Sequence, residues 1–247
     1  MRAWGADPAL GRSLITGLRD ICRVVAFDYE GQILRLPKPE TLTPAHIVAD
    51  ILAVADAAQA DRFAYYGYSW LAQMGPQLAL RTDRLSALIM GGFPPLGGPY
   101  ADMLRVTTAT HELAVAAAQA TETVAAPPVE AGDWSSVQIT LSPAQTQQFV
   151  TLYQALQDFD DRAAQARITC PRLCFVGSAD EIQYGPRWGD VLVSTAGPVV
   201  RGRAELEGLG WEVRLLEGLD HVQAMQAAQV VPLLRSWLPS ALPPQQP

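Results

Sequence analysis

Short apolar runs alternate with amphipathic helical segments along the chain, and this alternation restricts the fold more than any other feature. Phe63 to Tyr66 and Leu85 to Met90 form two such runs, separated by a helical pattern from Trp70 to about Arg81. Another amphipathic helix opens at Thr43-Pro44, where threonine can cap the helix and proline suits its first turn, and it ends near Ala60. Strand, helix and strand in succession predict an α/β fold, in which helices flank a mostly parallel sheet.

Further strand signals lie on both sides of this region. The β-branched run from Arg23 to Asp28 suits a buried parallel strand, and apolar runs return at Pro171 to Val176 and at Glu212 to Leu216. Between the last two runs, the sequence predicts a loop rich in glycine and proline, and then a helix ending near Gly208. A last helix, from Val222 to Leu238, closes the predicted fold.

The alternation is interrupted between residues 94 and 167, which contain two proline-rich and glycine-rich stretches and an alanine-rich helical segment from His111 to Val124. We therefore expect a core formed by residues 1–93 and 168–238 and a helical insertion over residues 94–167. The tail, residues 239–247, is rich in proline and glutamine and has little with which to pack, so we expect it to be disordered.

The segment Phe63-Ala64-Tyr65-Tyr66-Gly67-Tyr68-Ser69-Trp70-Leu71 has the pattern of a nucleophile elbow. A strand runs into a glycine, a serine follows two residues later, and a helix begins at once. Such a sharp turn exposes the serine Oγ above the sheet edge, and the start of the helix favours developing negative charge. A serine that merely caps the helix is the alternative, because this tripeptide also arises by chance.

An acid and a histidine follow later strands, in the chain order serine, acid, histidine. Asp180 comes just after the run that ends at Val176, and His221 comes just after the run that ends at Leu216. Acyl transfer needs a base that takes the serine proton and an anion that orients that base, and these two residues fit those roles. Taken singly, each could instead be an ordinary loop or capping residue.

Together these segments resemble the α/β-hydrolase superfamily, and the resemblance extends from about Trp4 to Leu238. Its signatures are Gly67-Tyr68-Ser69-Trp70, Gly177-Ser178-Ala179-Asp180 and Gly218-Leu219-Asp220-His221. The resemblance implies a nucleophile at Ser69, an acid at Asp180, a base at His221 and an oxyanion-binding backbone N–H at Trp70. It also implies a helical cap, which matches residues 94–167, and it implies no cofactor.

Three departures from the family pattern are visible. Leu71 occupies the position of the second glycine of the elbow, so either the elbow opens or the leucine points away. Pro76 lies inside the predicted helix and should bend it. Family members usually have two or three strands and a His-Gly loop before this region, and here Arg2-Ala3 stands in the place of His-Gly, which makes the N–H of Trp4 the candidate for the second oxyanion donor.

Composition excludes several other classes of function. The net charge of −7 disfavours nucleic acid and anionic membranes as partners, and no segment has the roughly 18 apolar residues that a membrane span needs. We interpret the three cysteines as core thiols of a reducing, cytoplasmic compartment. His46 and His111 lack a second ligand at a metal-like spacing, so we expect no metal site.

The sequence therefore predicts a serine hydrolase that cleaves an ester, thioester or similar bond of a small, fairly apolar substrate. Aromatic residues next to the motifs, Tyr68 and Phe93 above all, are candidates to line the substrate pocket, as are Trp70, Trp134 and Tyr184. The alternative is a catalytically impaired binding protein with the same fold, and a third reading keeps the triad for C–C bond hydrolysis, perhydrolysis or lyase chemistry. A homo-oligomer is compatible with the sequence.

Overall fold

The computed structural model describes residues 7–120 and 139–242. The strands are β1 (Phe63–Tyr68), β2 (Leu85–Gly91), β3 (Arg172–Gly177), β4 (Glu181–Tyr184), β5 (Val191–Ser194) and β6 (Trp211–Leu216). The helices are α1 (Leu10–Leu18), α2 (Tyr29–Arg35), α3 (Pro44–Ala57), α4 (Met74–Ala79), α5 (Tyr100–Gln119), α6 (Pro143–Gln154), α7 (Asp161–Ala164), α8 (Ala196–Arg201), α9 (Arg203–Gly208), α10 (His221–Ala224) and α11 (Ala227–Ala241). None of the helices within these two ranges combines the length and the apolar character needed to cross a bilayer.

The main sheet is parallel, with its strands in the order β1-β2-β3-β6. Tyr68 of β1 lies beside Gly91 of β2, Gly91 lies beside Phe175 of β3, and Gly177 lies beside Leu216 of β6. The carboxyl ends of β1, β3 and β6 therefore meet at one edge of the sheet. The predicted parallel sheet is confirmed, and so are its four strands at 63–66, 85–90, 171–176 and 212–216.

Helices cover both faces of this sheet, because alternate residues of its inner strands point to opposite sides. Leu88 and Met90 of β2 belong to a core cluster that also contains residues of α3, α4, α8 and α9. Their neighbours Ala87 and Ile89 belong to a second cluster, which contains residues of α1 and α11. The site thus rests on a sheet packed from both sides.

The prediction of a strand from Arg23 to Asp28 is wrong. These residues carry no strand assignment, and within the described ranges β1 pairs on one side only, with β2. Val24 packs into the second core cluster, whereas Val25 and Phe27 are 46% and 43% exposed. A β-branched run favours an extended backbone, but a strand also requires a neighbouring strand to bond with.

The helix after the elbow is also shorter than the sequence predicts. Instead of one helix from residue 70 to 81, a single 3₁₀ turn, Ser69–Leu71, precedes α4. Pro76 lies in the first turn of α4, where its missing N–H leaves no intrahelical bond unmade. The chain therefore accommodates this proline by a break before it rather than by a bend at it.

Three of the helices, α5, α6 and α7, occupy the interval between β2 and β3, and α5 packs against α6. The predicted alanine-rich helix is the second half of α5, and its last expected residues, 121–124, lie outside the described residues. The predicted loop after Asp180 is wrong in part, because it contains the antiparallel hairpin β4–β5. At the other end, α11 continues to Ala241, three residues into the expected tail, and residues 243–247 lie outside the described residues.

Candidate active site

Ser69 adopts a left-handed backbone conformation at the point where β1 meets the 3₁₀ turn. Its φ is 57°, a value that costs a non-glycine residue on the order of 1–3 kcal/mol unless the surroundings fix it. Gly67 makes this turn sterically feasible, because a Cβ atom there would lie 2.5 Å from the backbone oxygen of Leu71. The local structure is that of a strained strand-to-helix elbow with the serine at its apex.

Leu71, which departs from the family pattern, points away from the elbow. Its side chain packs against the first core cluster, and its carbonyl oxygen accepts a hydrogen bond of 2.8 Å from the hydroxyl of Tyr65. The atoms nearest to a Cβ on Gly67 would be backbone atoms of Leu71 and Ala72. A leucine therefore fits at this position without entering the space between strand and helix.

Asp180 lies in the turn that follows β3, and its side chain is fully buried. The backbone N–H of Asp180 donates to the carbonyl oxygen of Gly177, and its own carbonyl oxygen accepts from the N–H groups of Thr195 and Ala196. The acid is therefore fixed by backbone bonds to both β3 and the start of α8.

His221 is the first residue of α10, which begins after a tight turn beyond β6. Asp220 caps this helix in a reciprocal capping box with Gln223. The turn presses against the end of β3, where a Cβ atom on Gly177 would lie 2.1 Å from the carbonyl oxygen of Leu219. This close approach brings the loop before His221, residues 217–220, against the acid turn, residues 178–180.

A continuous chain of hydrogen-bonding groups connects these three residues. The Nε2 atom of His221 lies 2.9 Å from the Oγ atom of Ser69, and its Nδ1 atom lies 2.7 Å from the Oδ2 atom of Asp180. The side chain of His221 is 21% exposed, whereas that of Asp180 is 0% exposed. The histidine can thus exchange protons with bound molecules while the carboxylate that orients it is shielded from water.

This architecture resembles that of several solved structures. No family model and no curated protein matches the chain. Among solved structures, MenH from S. aureus matches with a TM-score of 0.61 and 14% identity, over 96% of this chain and 90% of that chain. A bromoperoxidase from Bacillus anthracis matches with a TM-score of 0.58 and 14% identity, over 96% and 89%. An enol-lactonase from Burkholderia xenovorans LB400 matches with a TM-score of 0.56 and 18% identity, over 96% and 88%.

The chain has the α/β-hydrolase fold. In this α/β-hydrolase fold Ser69, Asp180 and His221 follow β1, β3 and β6, and the parallel order of the sheet brings them to one edge. The carboxyl ends of strands are also where open α/β sheets generally bind ligands.

Trp70 directly follows Ser69, and its backbone N–H lies in the first turn of a helix, where it has no intrahelical acceptor. Its indole Nε1 donates to the carboxylate of Glu30 over 3.2 Å. Its ring contacts Tyr29 of α2, with ring centroids 6.1 Å apart, and Phe149 of α6, with centroids 5.5 Å apart. Trp4, the other oxyanion donor that the sequence suggests, lies outside the described residues.

The remaining aromatic candidates occupy different surroundings. Phe93 is buried and its ring contacts that of Tyr100, whereas Tyr68 contacts His221 and Phe175. Burial, assisted by the negative charge of Asp180, raises the pKa of Tyr184 to about 12, so its phenol remains protonated near the acid. Trp134 lies outside the described residues, and a role of Tyr68 or Phe93 in lining a pocket stays a prediction.

The two other histidines, His46 and His111, lie on helices away from these three residues. The Nδ1 atom of His46 lies 2.9 Å from the hydroxyl of Thr43 on the capping turn of α3. The Nδ1 atom of His111 lies 3.0 Å from the hydroxyl of Thr146, across the contact between α5 and α6. His46 thus contacts the cap of its own helix, whereas His111 bridges two packed helices.

Two features of this site escaped the sequence reasoning. Tyr29 and Phe149 contact Trp70 from helices far apart in the chain, and no local pattern in the sequence connects these helices to the elbow. The hydroxyl of Tyr68 reaches the backbone of His221. The position of Tyr68 next to Ser69 made it a candidate to line the pocket, but its hydrogen bond to the backbone of His221 depends on the turn that ends at His221.

Proposed function

We propose that this protein is a serine hydrolase that cleaves an ester, thioester or similar bond of a small, fairly apolar substrate. The observation that carries the proposal is the hydrogen-bonded series Ser69, His221, Asp180, with distances of 2.9 and 2.7 Å, whose first member sits at a φ of 57°. Strained backbone together with a serine–histidine–acid series is the arrangement that activates a serine hydroxyl.

The proposed reaction has two halves. Ser69 Oγ attacks the carbonyl carbon of the substrate while His221 Nε2 takes its proton, and the buried Asp180 carboxylate stabilises the resulting imidazolium. The tetrahedral intermediate then collapses, the bond to the leaving alcohol or thiol breaks, and His221 returns the proton to that leaving group. Water, activated by His221, hydrolyses the acyl-enzyme and regenerates Ser69.

The charge that develops on the carbonyl oxygen needs hydrogen-bond donors. The backbone N–H of Trp70 is one candidate, since it follows the nucleophile and opens a helical turn. In this proposal, the N–H of Trp4 supplies the second. Each such donor accounts for about 10²- to 10³-fold in rate in enzymes of this chemistry.

An apolar substrate is favoured by the side chains that surround the residue after the nucleophile. Trp70 contacts the rings of Tyr29 and Phe149, and Tyr29 contacts Phe27, which is 43% exposed. Aromatic surface beside a reactive serine favours acyl or alcohol groups with apolar character.

A fluorophosphonate probe and a panel of p-nitrophenyl esters test this proposal. Ser69→Ala should abolish both labelling and turnover without a change in the circular dichroism spectrum. Ser236→Ala is the matched control, because the Ser236 hydroxyl is exposed and bonds only locally to the Leu233 carbonyl oxygen. Labelling that survives in Ser69→Ala would refute the assignment of the nucleophile.

The identity of the scissile bond is a separate question. Solved structures with this fold include an enol-lactonase and a bromoperoxidase, so likeness of fold is compatible with more than one reaction. Ester turnover that depends on Ser69 supports ester or thioester hydrolysis. Labelling of Ser69 without turnover of any ester in the panel would point instead to another reaction of the same triad, and absence of both would favour the non-catalytic alternative.

A further inference from the structure

Tyr68 connects the end of β1 to the histidine. Its hydroxyl donates a hydrogen bond of 2.7 Å to the backbone carbonyl oxygen of His221, and its ring lies 5.2 Å from the imidazole, centroid to centroid, at an angle of 54°. The neighbouring residue on the chain is Ser69, whose Oγ lies 2.9 Å from the same histidine. Two consecutive residues of one strand end thus contact His221 from two directions.

Two glycines at the end of the neighbouring strand β2 allow the Tyr68 ring to pack closely against its backbone. A Cβ atom on Gly91 would lie 2.6 Å from the Tyr68 ring, and one on Gly92 would lie 2.6 Å from the same ring, near its hydroxyl. Phe175 of β3 packs against it as well, with centroids 6.0 Å apart. The ring is therefore held between the backbone of residues 91–92, Phe175 and the imidazole, with little freedom to rotate away.

The hydroxyl of Tyr68 stays protonated at neutral pH and can act as a donor. Burial is the main cause that raises the pKa of this phenol, and the charge of Asp180 raises it further. A protonated phenol can give its hydrogen to the His221 carbonyl oxygen, and it keeps that group paired although the loop is partly buried. The loop around His221 is otherwise tied to the acid turn on its other side, where the Gly218 N–H donates to the Ser178 hydroxyl.

We propose that Tyr68 is a positioning residue for His221, which holds the backbone and the ring of the base at hydrogen-bonding distance from Ser69. This inference rests on the proposed function. Asp180 fixes the imidazole through Nδ1, but a single hydrogen bond leaves the ring free to tilt about it. The ring and hydroxyl of Tyr68 restrict that freedom. Because Tyr68 directly precedes Ser69, any shift of the strand end moves both contacts together.

The conservative variant Tyr68→Phe removes the hydroxyl and keeps the ring. Tyr66→Phe is the matched control, since Tyr66 lies two residues earlier on β1 and stacks on the same Phe175, with centroids 6.1 Å apart. We expect Tyr68→Phe to lower kcat by about ten- to a hundredfold at unchanged KM, because small displacements of a reacting group cost rate rather than binding. Tyr66→Phe should leave both constants unchanged, and thermal melting should confirm that both variants fold.

A spectroscopic measurement tests the same idea without turnover. The chain contains three histidines, so nitrogen-15 labelling of histidine alone gives few imidazole signals, and His221→Gln assigns the proton shared between His221 and Asp180. In Tyr68→Phe this signal should broaden or vanish, because a tilting ring exposes its N–H to exchange with water. In Tyr66→Phe it should persist.

The outcomes separate this proposal from the proposed function. A folded Tyr68→Phe variant that keeps both the signal and the wild-type kcat would overturn the positioning role while the hydrolase assignment stands. Loss of the signal at unchanged kcat would also overturn it, since the contact would then be structural only. If Ser69 of the wild type takes up no fluorophosphonate, the hydrolase assignment fails. Loss of the signal in Tyr68→Phe would then still support the placement of His221 by Tyr68.

Discussion

The Nε2 atom of His221 lies 2.9 Å from the Oγ atom of Ser69, although 152 positions separate the two residues in the chain. The parallel sheet accounts for this proximity. Both residues follow the carboxyl ends of strands, β1 and β6, and all parallel strands end at the same edge. The left-handed turn at Ser69 ends the strand at this residue, and its hydroxyl lies within hydrogen-bonding distance of the histidine.

Asp180→Asn tests the role of the buried acid. An amide cannot stabilise the imidazolium that forms when His221 takes a proton, and it favours the wrong tautomer of the ring. We expect kcat for p-nitrophenyl esters to fall by about 10⁴-fold while the fold is retained. Asp158→Asn, at an exposed position, should leave kcat unchanged. An Asp180→Asn enzyme with more than a tenth of wild-type activity would remove the acid from the mechanism.

Gly67→Ala tests the geometry of the elbow. The added Cβ would lie 2.5 Å from the backbone oxygen of Leu71, so the strand and the 3₁₀ turn must separate. Such overpacking costs about 1–3 kcal/mol in the free energy of unfolding, and it should also displace Ser69 and slow its labelling by fluorophosphonate.

The control for that change is Gly185→Ala. This glycine has nothing within 4 Å of the added Cβ and a φ of −70°, which any residue adopts. Urea unfolding and labelling rates should match those of the wild type. Equal labelling rates in Gly67→Ala and Gly185→Ala would show that the close contact at the elbow is not needed to place the nucleophile.

The parallel sheet could be predicted from the apolar runs of the sequence. The proximity of Ser69, Asp180 and His221 could be predicted as well, because each of them comes soon after such a run. Position after a strand is a local property, and the parallel order of the sheet converts it into proximity. The contact between Tyr68 and His221 is different in kind. It depends on the conformation of the turn before His221 and on the space that Gly91 and Gly92 leave for the Tyr68 ring. The sequence around Tyr68 specifies neither of these.

Two segments show why the rest of the fold was not predicted. The hairpin β4–β5 pairs Ile182 with Val193 across a connection rich in glycine, and such a pairing leaves little periodic signal in strands this short. The run at residues 23–28 gives the opposite error, because its β-branched composition indicates a strand whether or not a partner lies beside it. Amino-acid composition indicates which backbone conformation a segment prefers, whereas strand pairing also depends on whether another strand lies beside it.

Leu71→Ala addresses the departure from the glycine of the family pattern. The leucine side chain packs into the core while its backbone faces the elbow, so truncation should destabilise the fold rather than improve the turn. We expect a loss of about 1–3 kcal/mol in the free energy of unfolding, less than for a fully buried leucine, because Leu71 is half-buried. The kcat of the folded variant should stay close to that of the wild type. A rise in kcat would mean that the leucine restrains the nucleophile.

Asp161→Asn probes a half-buried carboxylate that the proposed mechanism does not use. Asp161 opens α7 and accepts a hydrogen bond of 3.1 Å from the N–H of Gly98. Burial raises the pKa of this carboxyl above its ordinary value of 3.8, although the N–H groups of Gly98 and Gly97 partly oppose the shift. The folded protein therefore binds this proton more tightly than the unfolded chain, and the free energy of unfolding falls as pH rises from about 3.8 through the higher pKa.

An asparagine can still accept from Gly98 but does not titrate. Asp161→Asn should therefore flatten the pH dependence of stability in that window and raise the melting temperature at pH 7, where the wild type carries a partly desolvated charge. Urea titrations at a series of pH values measure both effects. Asp158→Asn, three residues earlier and exposed, should keep the wild-type slope. An identical slope in Asp161→Asn would mean that the carboxylate is as well solvated in the folded protein as in the unfolded chain.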